Sequence, residues 1–181
     1  MRNCSKGFTL VELMVALGIL GLTMAFAVPS FVALISNNRI SSGASDFVGS
    51  LQLAKAESAA RTSPATICKK NIAGTACVTA GDWQQGWIVF SDINGNAAVD
   101  AGDAVVLNHE ALDSQITFNG TAGVTNSITF NPSGRTSITG TQVLIMCDAR
   151  GFAESAKGIL VTITGRGNVM KASDTGQTAC L

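Results

Sequence analysis

Residues 8–28 read FTLVELMVALGILGLTMAFAV, and this stretch decides the fold of the chain. The sixteen residues from Leu13 to Val28 contain a single polar side chain, that of Thr23. As an α-helix rising about 1.5 Å per residue, the stretch from Phe8 would extend roughly 31 Å, close to the hydrocarbon thickness of a bilayer. The sequence therefore predicts a membrane-spanning helix near its N-terminus.

The charges on either side of this stretch predict its orientation. Arg2 and Lys6 precede it, and Arg39 is the first basic residue after it. Because positive residues near a span stay on the cytoplasmic side, the short N-terminal side is expected to remain there while the rest of the chain crosses. The alternative is a secretory signal peptide, with Ala25–Ala27 as its cleavage site.

Glu12 lies near the start of the apolar stretch. An unpaired carboxylate at that depth in a membrane is energetically expensive, and intramembrane acids are therefore functional candidates with a specific partner. Neither a signal peptide nor a simple anchor needs such a residue. Glu12 thus predicts a segment that does more than hold the chain in a bilayer.

The segment KGFTLVEL, from Lys6 to Leu13, resembles the processing site of type IV prepilins and type II secretion pseudopilins. The resemblance implies that residues 1–7 are a leader peptide. It implies further that a prepilin peptidase cuts between Gly7 and Phe8, and that the new N-terminal residue Phe8 is then methylated on its amine.

The same resemblance implies roles for two residues of the helix. Glu12 is expected to pair with the N-terminal amine of a neighbouring subunit, and Pro29 corresponds to the helix-bending proline of the family. The physics agrees, because an amine and a carboxylate that are both poorly solvated are the best available counter-ions for each other. Residues 8–36 would then be a transmembrane helix that becomes the core of a filament with heterologous, non-closing contacts.

Past Pro29 the apolar residues recur at three- and four-residue spacings, which is typical of an amphipathic helix. The members of this stripe are Ile40, Ala44, Phe47, Val48, Leu51, Ala54 and Ala59. Pro64 and the residue before it are expected to end the helix near Arg61. Residues 37–181 are therefore predicted to form a globular domain that starts with this amphipathic half-helix.

Downstream of the helix the pattern changes to short β-like segments separated by turn residues. The candidate strands are Ala65–Cys68, Gly86–Phe90, Ala104–Asn108, Gln115–Phe118, Ser127–Phe130, Gln142–Cys147, Gly158–Thr164 and Asn168–Ala172. The predicted class is α+β and pilin-like, with one long N-terminal helix packed on an antiparallel β domain of one or two sheets. Residues 119–126 are predicted to be an exposed loop, and Trp83, Trp87 and Phe90 to be core residues.

Three segments of this domain resemble the globular part of H-type pseudopilins and FimT/FimU-like minor pilins. They are Trp83–Asp92 with the Asp- and Asn-rich residues that follow, Ile128–Arg135, and Ile163–Arg166. The resemblance implies a low-abundance structural subunit.

Five cysteines are present, and Cys4 would be lost with the leader. The remaining four, in a domain exported to an oxidising compartment, predict two disulfides with three possible pairings. The favoured pairing is Cys68–Cys77 with Cys147–Cys180. A four-cysteine zinc site is the alternative, which the lack of any Cys-x-x-Cys spacing opposes.

A possible calcium loop follows Phe90. Its oxygen-bearing residues stand at positions 1, 3, 5, 9 and 12 of an EF-hand-like count, and they are Asp92, Asn94, Asn96, Asp100 and Asp103. Position six is Ala97 rather than glycine, so a polar hairpin loop without metal is the favoured interpretation.

Basic residues become more frequent towards the C-terminus, and Arg135, Arg166 and Lys171 are candidate DNA contacts. FimT-like DNA-uptake pilins carry a Gly-Arg-x-Arg motif, whereas this chain has Gly165-Arg166-Gly167-Asn168. A solvated turn is the simpler interpretation of Arg166. His109 and Glu110 are predicted to form a surface pair.

Composition excludes several classes of function. Twelve Lys and Arg balance twelve Asp and Glu, with one His and no Tyr, so binding by bulk charge and most His-based catalytic or zinc sites are excluded. No nucleophile with its base and no cofactor fingerprint can be assembled, which predicts a protein that is not an enzyme and needs no cofactor.

The sequence predicts a minor type IV pilin that helps to initiate or cap assembly at or near the pilus tip. A DNA-binding minor pilin of natural transformation and a minor pseudopilin of type II secretion are the alternatives. Its expected partners are other minor and major pilins, the prepilin peptidase, the inner-membrane assembly platform and the lipid bilayer. Before assembly the chain is expected to span the bacterial inner membrane once, with residues 37–181 in the periplasm, and afterwards to join the extracellular pilus.

Overall fold

A computed structural model describes residues 7–152 and 155–181 of the chain. The leader residues Arg2, Cys4 and Lys6 lie outside these ranges. The first element is helix α1, Leu10–Arg61, with 52 residues and Pro29 inside it. The chain divides into two compact units, Met1–Asn38 and Arg39–Leu181.

In the first unit α1 exposes its apolar side chains. All the large apolar residues from Phe8 to Ile35 are exposed, with relative accessibilities from 49% to 79%. The helix is long and apolar enough to cross a membrane, with a mean hydropathy of 2.2 over 18 of its residues. Within the described residues no other helix meets this criterion.

Helix α1 ends where the sequence predicts. Thr62 adopts a left-handed backbone conformation, with φ of 51°, directly after Arg61, and its amide donates to the carbonyl of Ala59 at 3.4 Å. A left-handed residue is a common helix terminator, and Pro64 could not continue the helix because it has no amide hydrogen.

In the second unit one face of α1 is buried. Its buried positions are Ile40, Gly43, Ala44, Phe47, Ser50, Leu51, Ala54 and Ser58. The three- and four-residue spacing confirms the predicted amphipathic half. The prediction is wrong at one position, because Ala59 is exposed and Ser58 is buried instead. The hydroxyl of Ser58 donates to the carbonyl of Lys55 at 2.8 Å.

All eight predicted strands are present, two of them with the predicted ends and six with shifted ends. They are β1 Ala65–Lys69, β2 Trp87–Ser91, β3 Val105–His109, β4 Thr117–Gly120, β5 Ser127–Phe130, β6 Gln142–Cys147, β7 Lys157–Val161 and β8 Gly167–Lys171. They form two four-stranded sheets, in the orders β3-β2-β1-β5 and β4-β6-β7-β8. Every pairing is antiparallel, which confirms the predicted α+β class. Of the one or two sheets that the sequence predicts, the structure has two.

The core between the helix and both sheets is centred on Phe47. Its ring meets Trp83, Trp87 and Phe118 edge to face, with centroid distances of 5.1, 5.2 and 4.9 Å. All four side chains have no exposed surface. Edge-to-face aromatic pairs are favourable beyond the area that they bury, so this cluster helps to join the helix to both sheets.

Both buried tryptophans have a partner for their indole N–H. Trp87 Nε1 donates to Ser50 Oγ at 2.8 Å, and Trp83 Nε1 donates to the carbonyl of Val124 at 2.9 Å. The second bond corrects the prediction of an exposed loop at residues 119–126. That segment completes β4 and then forms a short 3-10 helix, Ala122–Val124, because the buried indole needs an acceptor there.

Two disulfides connect the pairs that the sequence favours. Cys68 is bonded to Cys77 and Cys147 to Cys180, with Cα–Cα distances of 5.6 and 6.2 Å. Cys68 packs with Ile88 and Phe90 on the outer face of the first sheet. A disulfide of this kind typically contributes about 2–4 kcal/mol to stability.

Candidate functional site

The N-terminus of α1 carries a reciprocal hydrogen-bonded cap. The amide of Glu12 donates to Thr9 Oγ1 at 3.2 Å, and the amide of Thr9 donates to Glu12 Oε2 at 3.5 Å. This is the capping-box arrangement, which satisfies two of the amides that an α-helix leaves unpaired at its start. Gly7 and Phe8 precede the cap and are exposed.

Sequence reasoning missed this cap, although Thr9 and Glu12 have the Thr-x-x-Glu spacing that predicts it. The cap gives the Glu12 carboxylate a local function in the isolated chain while leaving it exposed. The carboxylate at the start of this apolar helix is thus held by the amide of Thr9.

The surface of the first unit is suited to lipid or to other helices. Gly18 and Gly21 lie among the exposed apolar side chains, and a side chain added at either would contact nothing within 4 Å. Soluble monomers rarely expose apolar patches of this extent, and those that do use them for membranes or partners. Pro29 removes one backbone donor from the same unit, because proline has no amide hydrogen.

Comparison with known proteins gives the family of the chain. Residues 43–167 match the model of the type II transport protein GspH, and residues 2–28 match the prokaryotic N-terminal methylation motif. The chain belongs to the GspH family. The methylation-motif match includes Gly7, Phe8 and Glu12.

Two fimbrial proteins are related in sequence to this GspH-family chain. The type IV major fimbrial protein FimA of Dichelobacter nodosus is 31% identical over 124 residues, which cover 68% of this chain and 73% of that protein. A fimbrial protein of the same organism is 31% identical over 106 residues, covering 57% of this chain and 63% of the relative, slightly under two thirds of its length.

A solved structure shows the same fold. The crystal structure of the type IV minor pilin FimU of Pseudomonas aeruginosa superposes with a TM-score of 0.59 and 17% identity. The match covers 75% of this chain and 91% of the FimU chain. At this identity the likeness concerns the arrangement of helix and sheets.

The five residues of the possible calcium loop come together in the hairpin between β2 and β3. Asp92 is fully buried and accepts hydrogen bonds from Thr66 Oγ1 at 2.7 Å and from the amides of Asn96 and Ala97 at 3.1 and 3.0 Å. Its oxygens therefore stabilise the loop itself. In residues 7–152 and 155–181 no group of three or more acidic, His or Cys side chains could hold a metal ion.

The other acids of this hairpin have similar local partners. The side-chain amides of Asn94 and Asn96 donate to Asp100 Oδ2, which holds the pKa of Asp100 below its ordinary value. Asp103 accepts from the amides of Ile93 and Asp100, both at 3.0 Å. These hydrogen bonds hold the acidic side chains of the hairpin to its own backbone and amide groups.

Two of the three candidate DNA contacts lie on neighbouring turns. Arg135 and Arg166 are exposed, and their turns are joined where the amide of Thr136 donates to the carbonyl of Ile163 at 2.9 Å. Lys55 of α1 reaches the same place, because its Nζ donates to the carbonyl of Thr164 at 2.8 Å. Lys55 and the two turns that carry Arg135 and Arg166 are therefore neighbours.

Lys171, the third candidate, lies apart from this site. It is at the end of β8, where it pairs in register with Lys157 of β7. Directly opposed like charges destabilise a sheet, so this pair favours a nearby anion. Among the described residues, none of these lysines and arginines has an acidic side chain within ion-pair distance.

His109 differs from its prediction as a surface pair with Glu110. Its ring stacks on the indole of Trp87, with centroids 3.9 Å apart and planes 8° from parallel. Nδ1 lies 2.7 Å from the carbonyl oxygen of Glu110, and Nε2 lies 3.6 Å from Asp46 Oδ2. His109 thus covers the tryptophan at the end of the core, a role that the charge pattern around it did not indicate.

Two buried lysines at the end of β1 were also missed. Lys69 is 1% exposed, and its Nζ donates to the carbonyls of Thr79 and Gly81 at 3.0 and 2.7 Å. Burial lowers the pKa of Lys69, against the attraction of Asp82. The next residue, Lys70, is 4% exposed. Adjacent lysines at a strand end usually indicate a solvated edge, so no local signal could have revealed their burial.

Proposed function

We propose that this chain is a minor type IV pilin. In this proposal residues 1–7 are removed by the prepilin peptidase, and Phe8 becomes the methylated N-terminus. Residues 8–36 are held in the inner membrane and then in the filament core, and residues 37–181 lie in the periplasm before export. The observation that carries the proposal is an exposed apolar helix that starts with a positioned carboxylate, Glu12.

The charge pair supplies the assembly mechanism. Cleavage would give Phe8 an ammonium group about one helical turn from Glu12. In an apolar environment neither charge is stable alone, so the amine of an incoming subunit is expected to bind the Glu12 carboxylate of its neighbour. Such a contact sets the axial register between subunits, and it repeats along a helix because it is heterologous.

A position at or near the pilus tip fits a subunit of this family. A tip subunit needs one surface for the partner above it and another for the shaft below it, while its helix follows the same register as the shaft. The partners would be other minor and major pilins, together with the inner-membrane assembly platform that inserts each subunit. A minor pseudopilin of type II secretion remains the alternative, since it uses the same helix and the same charge pair.

Sheared fibres test this proposal. We expect the chain in purified fibres at low abundance, together with pilins, and with an N-terminus at methylated Phe8 when its intact mass is measured. Cleavage after Ala27 would instead indicate a signal peptide, and absence from fibres would contradict the assembly role. Co-purification with pseudopilins alone would assign the chain to a secretion system.

DNA binding is a second candidate, favoured by the neighbouring positions of Lys55 and the turns that carry Arg135 and Arg166. None of these three residues has an acidic partner among the described residues. Each phosphate contact releases counter-ions. It therefore steepens the slope of the logarithm of the binding constant against the logarithm of the salt concentration by about 0.9. The site would follow a DNA backbone and would not read base sequence.

Replacing both arginines tests this candidate. We expect the double variant, Arg135→Ala with Arg166→Ala, to bind duplex DNA at least about tenfold more weakly. The slope of the logarithm of the binding constant against the logarithm of the salt concentration should become shallower by about two. The measurement is a gel-shift titration of the detergent-solubilised chain across salt concentrations. Arg61→Ala is the control, because Arg61 is paired with Glu57. Equal binding by the double variant and the wild type would exclude this site.

A further inference from the structure

The segment that follows β1 is held rigidly. We call residues 69–82 the disulfide loop, since the Cys68–Cys77 bond closes its first half. Inside it the amide of Val78 donates to the carbonyl of Lys69 at 3.0 Å, and the amide of Thr75 donates to Asn71 Oδ1 at 2.9 Å. Backbone and covalent bonds therefore fix one conformation of the loop.

Side chains at the base of the loop bind both of its halves. Lys69 Nζ binds two carbonyls of the loop, those of Thr79 and Gly81. Gln85 Nε2 donates to the carbonyl of Lys70 at 2.8 Å. A surface held in this way loses little conformational entropy when a partner binds, which is the condition for a favourable docking site.

This rigid loop presents an apolar side chain and a cavity. Ile72 has a relative accessibility of 105%, the highest of the exposed large apolar residues in the described chain. Beside it is a cavity of about 560 Å³. Its apolar walls are Ile72, Ala73, Val78 and Ala80. Full burial of such an isoleucine typically contributes enough free energy for about a tenfold change in binding or more.

The polar residues around the cavity differ in what they can still bind. The Asn71 and Gln85 side chains already bond to the loop. Lys70, which also lines the cavity, donates from Nζ to Asn108 Oδ1 at 2.8 Å and to Glu110 Oε2 at 3.2 Å. An ammonium group has three donors, and no third acceptor lies within hydrogen-bond distance in the described part of the chain.

The two charges of the Lys70–Glu110 ion pair differ in burial. The Lys70 side chain is 4% exposed, whereas that of its ionic partner Glu110 is 86% exposed. An exposed carboxylate neutralises a buried ammonium only weakly, because water screens it. A second carboxylate brought by a docking partner would complete the coordination of Lys70 as the contact excludes water.

We propose that this cavity receives an aliphatic side chain, flanked by a carboxylate, from a different pilin subunit of the same fibre. The inference rests on the proposed function and adds the surface and the chemistry of one subunit contact. The aliphatic group would pack on Ile72 and Val78, and the carboxylate would bind Lys70. The disulfide loop is then the rigid half of a contact between subunits.

Photo-crosslinking in cells that assemble the fibre tests the contact. A photoreactive phenylalanine analogue is placed at position 72 of the full chain, and at position 93 as a control. Ile93 is 60% exposed and belongs to the hairpin after β2. We expect the probe at 72, and not at 93, to crosslink a different pilin at a peptide that contains an aliphatic residue next to Asp or Glu. No crosslink, or crosslinks to further copies of this chain only, would overturn the proposal.

Two charge-introducing variants give an independent measurement. Ile72→Asp is expected to lower the amount of chain in sheared fibres about tenfold, because it brings a charge into an apolar contact. Ile93→Asp should remain within about twofold of the wild type, as expected for a surface change outside an interface. If wild type and Ile72→Asp enter fibres equally, this contact is wrong and the pilin assignment stands. If the wild-type chain is absent from fibres, both fail.

Discussion

Glu12→Gln is expected to lower the amount of this chain in purified fibres at least about a hundredfold, because it leaves the ammonium of the neighbouring subunit unpaired in an apolar environment. Glutamine has nearly the same shape as glutamate and can serve in the same capping box with Thr9. The variant therefore removes the charge and keeps the helix start. Quantitative immunoblots of the fibre and membrane fractions measure the loss.

Glu57→Gln is the matched control for this result. It makes the same chemical change in the same helix, at a residue whose partner is Arg61 of its own chain. We expect this control to enter fibres as the wild type does, and both variants to be found in membranes at normal levels. Incorporation of Glu12→Gln at the wild-type level would refute the charge-pair mechanism.

Phe47→Ala is expected to reduce the free energy of unfolding of the second unit by about 3–5 kcal/mol. Phe47 is fully buried and contacts both tryptophans and Phe118. Its truncation therefore leaves a cavity between the helix and the two sheets. Urea unfolding of the detergent-solubilised chain, followed by tryptophan fluorescence, measures the change. Trp83 and Trp87 are the two tryptophans of the sequence, and both report on this cluster.

Leu53→Ala is the control for the core. Leu53 lies on the same helix but is 36% exposed, so its truncation should change the free energy of unfolding by less than about 1 kcal/mol. Equal effects of the two variants would mean that Phe47 does not link the helix to the sheets.

The sequence predicted the features that depend on local pattern. The apolar stretch, the three- and four-residue spacing around Phe47 and the alternation of Trp87 and Val89 with Ile88 and Phe90 are each encoded within a few residues. The helix end near Arg61 follows from a nearby proline. These signals were sufficient for the helix, the eight strands and the α+β class.

Long-range pairing could not be predicted in the same way. β1 pairs with β5, although some sixty residues separate Ile67 from its partner Ile128. Alternation places Lys69 on the same side of β1 as Ile67, but no local pattern shows the loop carbonyls that make its burial tolerable. His109 is a similar case, because its stacking on the indole of Trp87 depends on the register between β2 and β3. The candidate site at Glu12 was predictable as a motif, and so was its cap from the Thr-x-x-Glu spacing, whereas the cavity beside Ile72 required the structure.

The position of β1 has a mechanical consequence. It follows helix α1 directly and lies between β2 and β5, with antiparallel hydrogen bonds on both sides. Tension that reaches the end of the helix would pull this strand lengthwise against two neighbours, so that many bonds share the load and must rupture together. The covalent Cys68–Cys77 bridge at the far end of the strand limits how far the following segment could stretch.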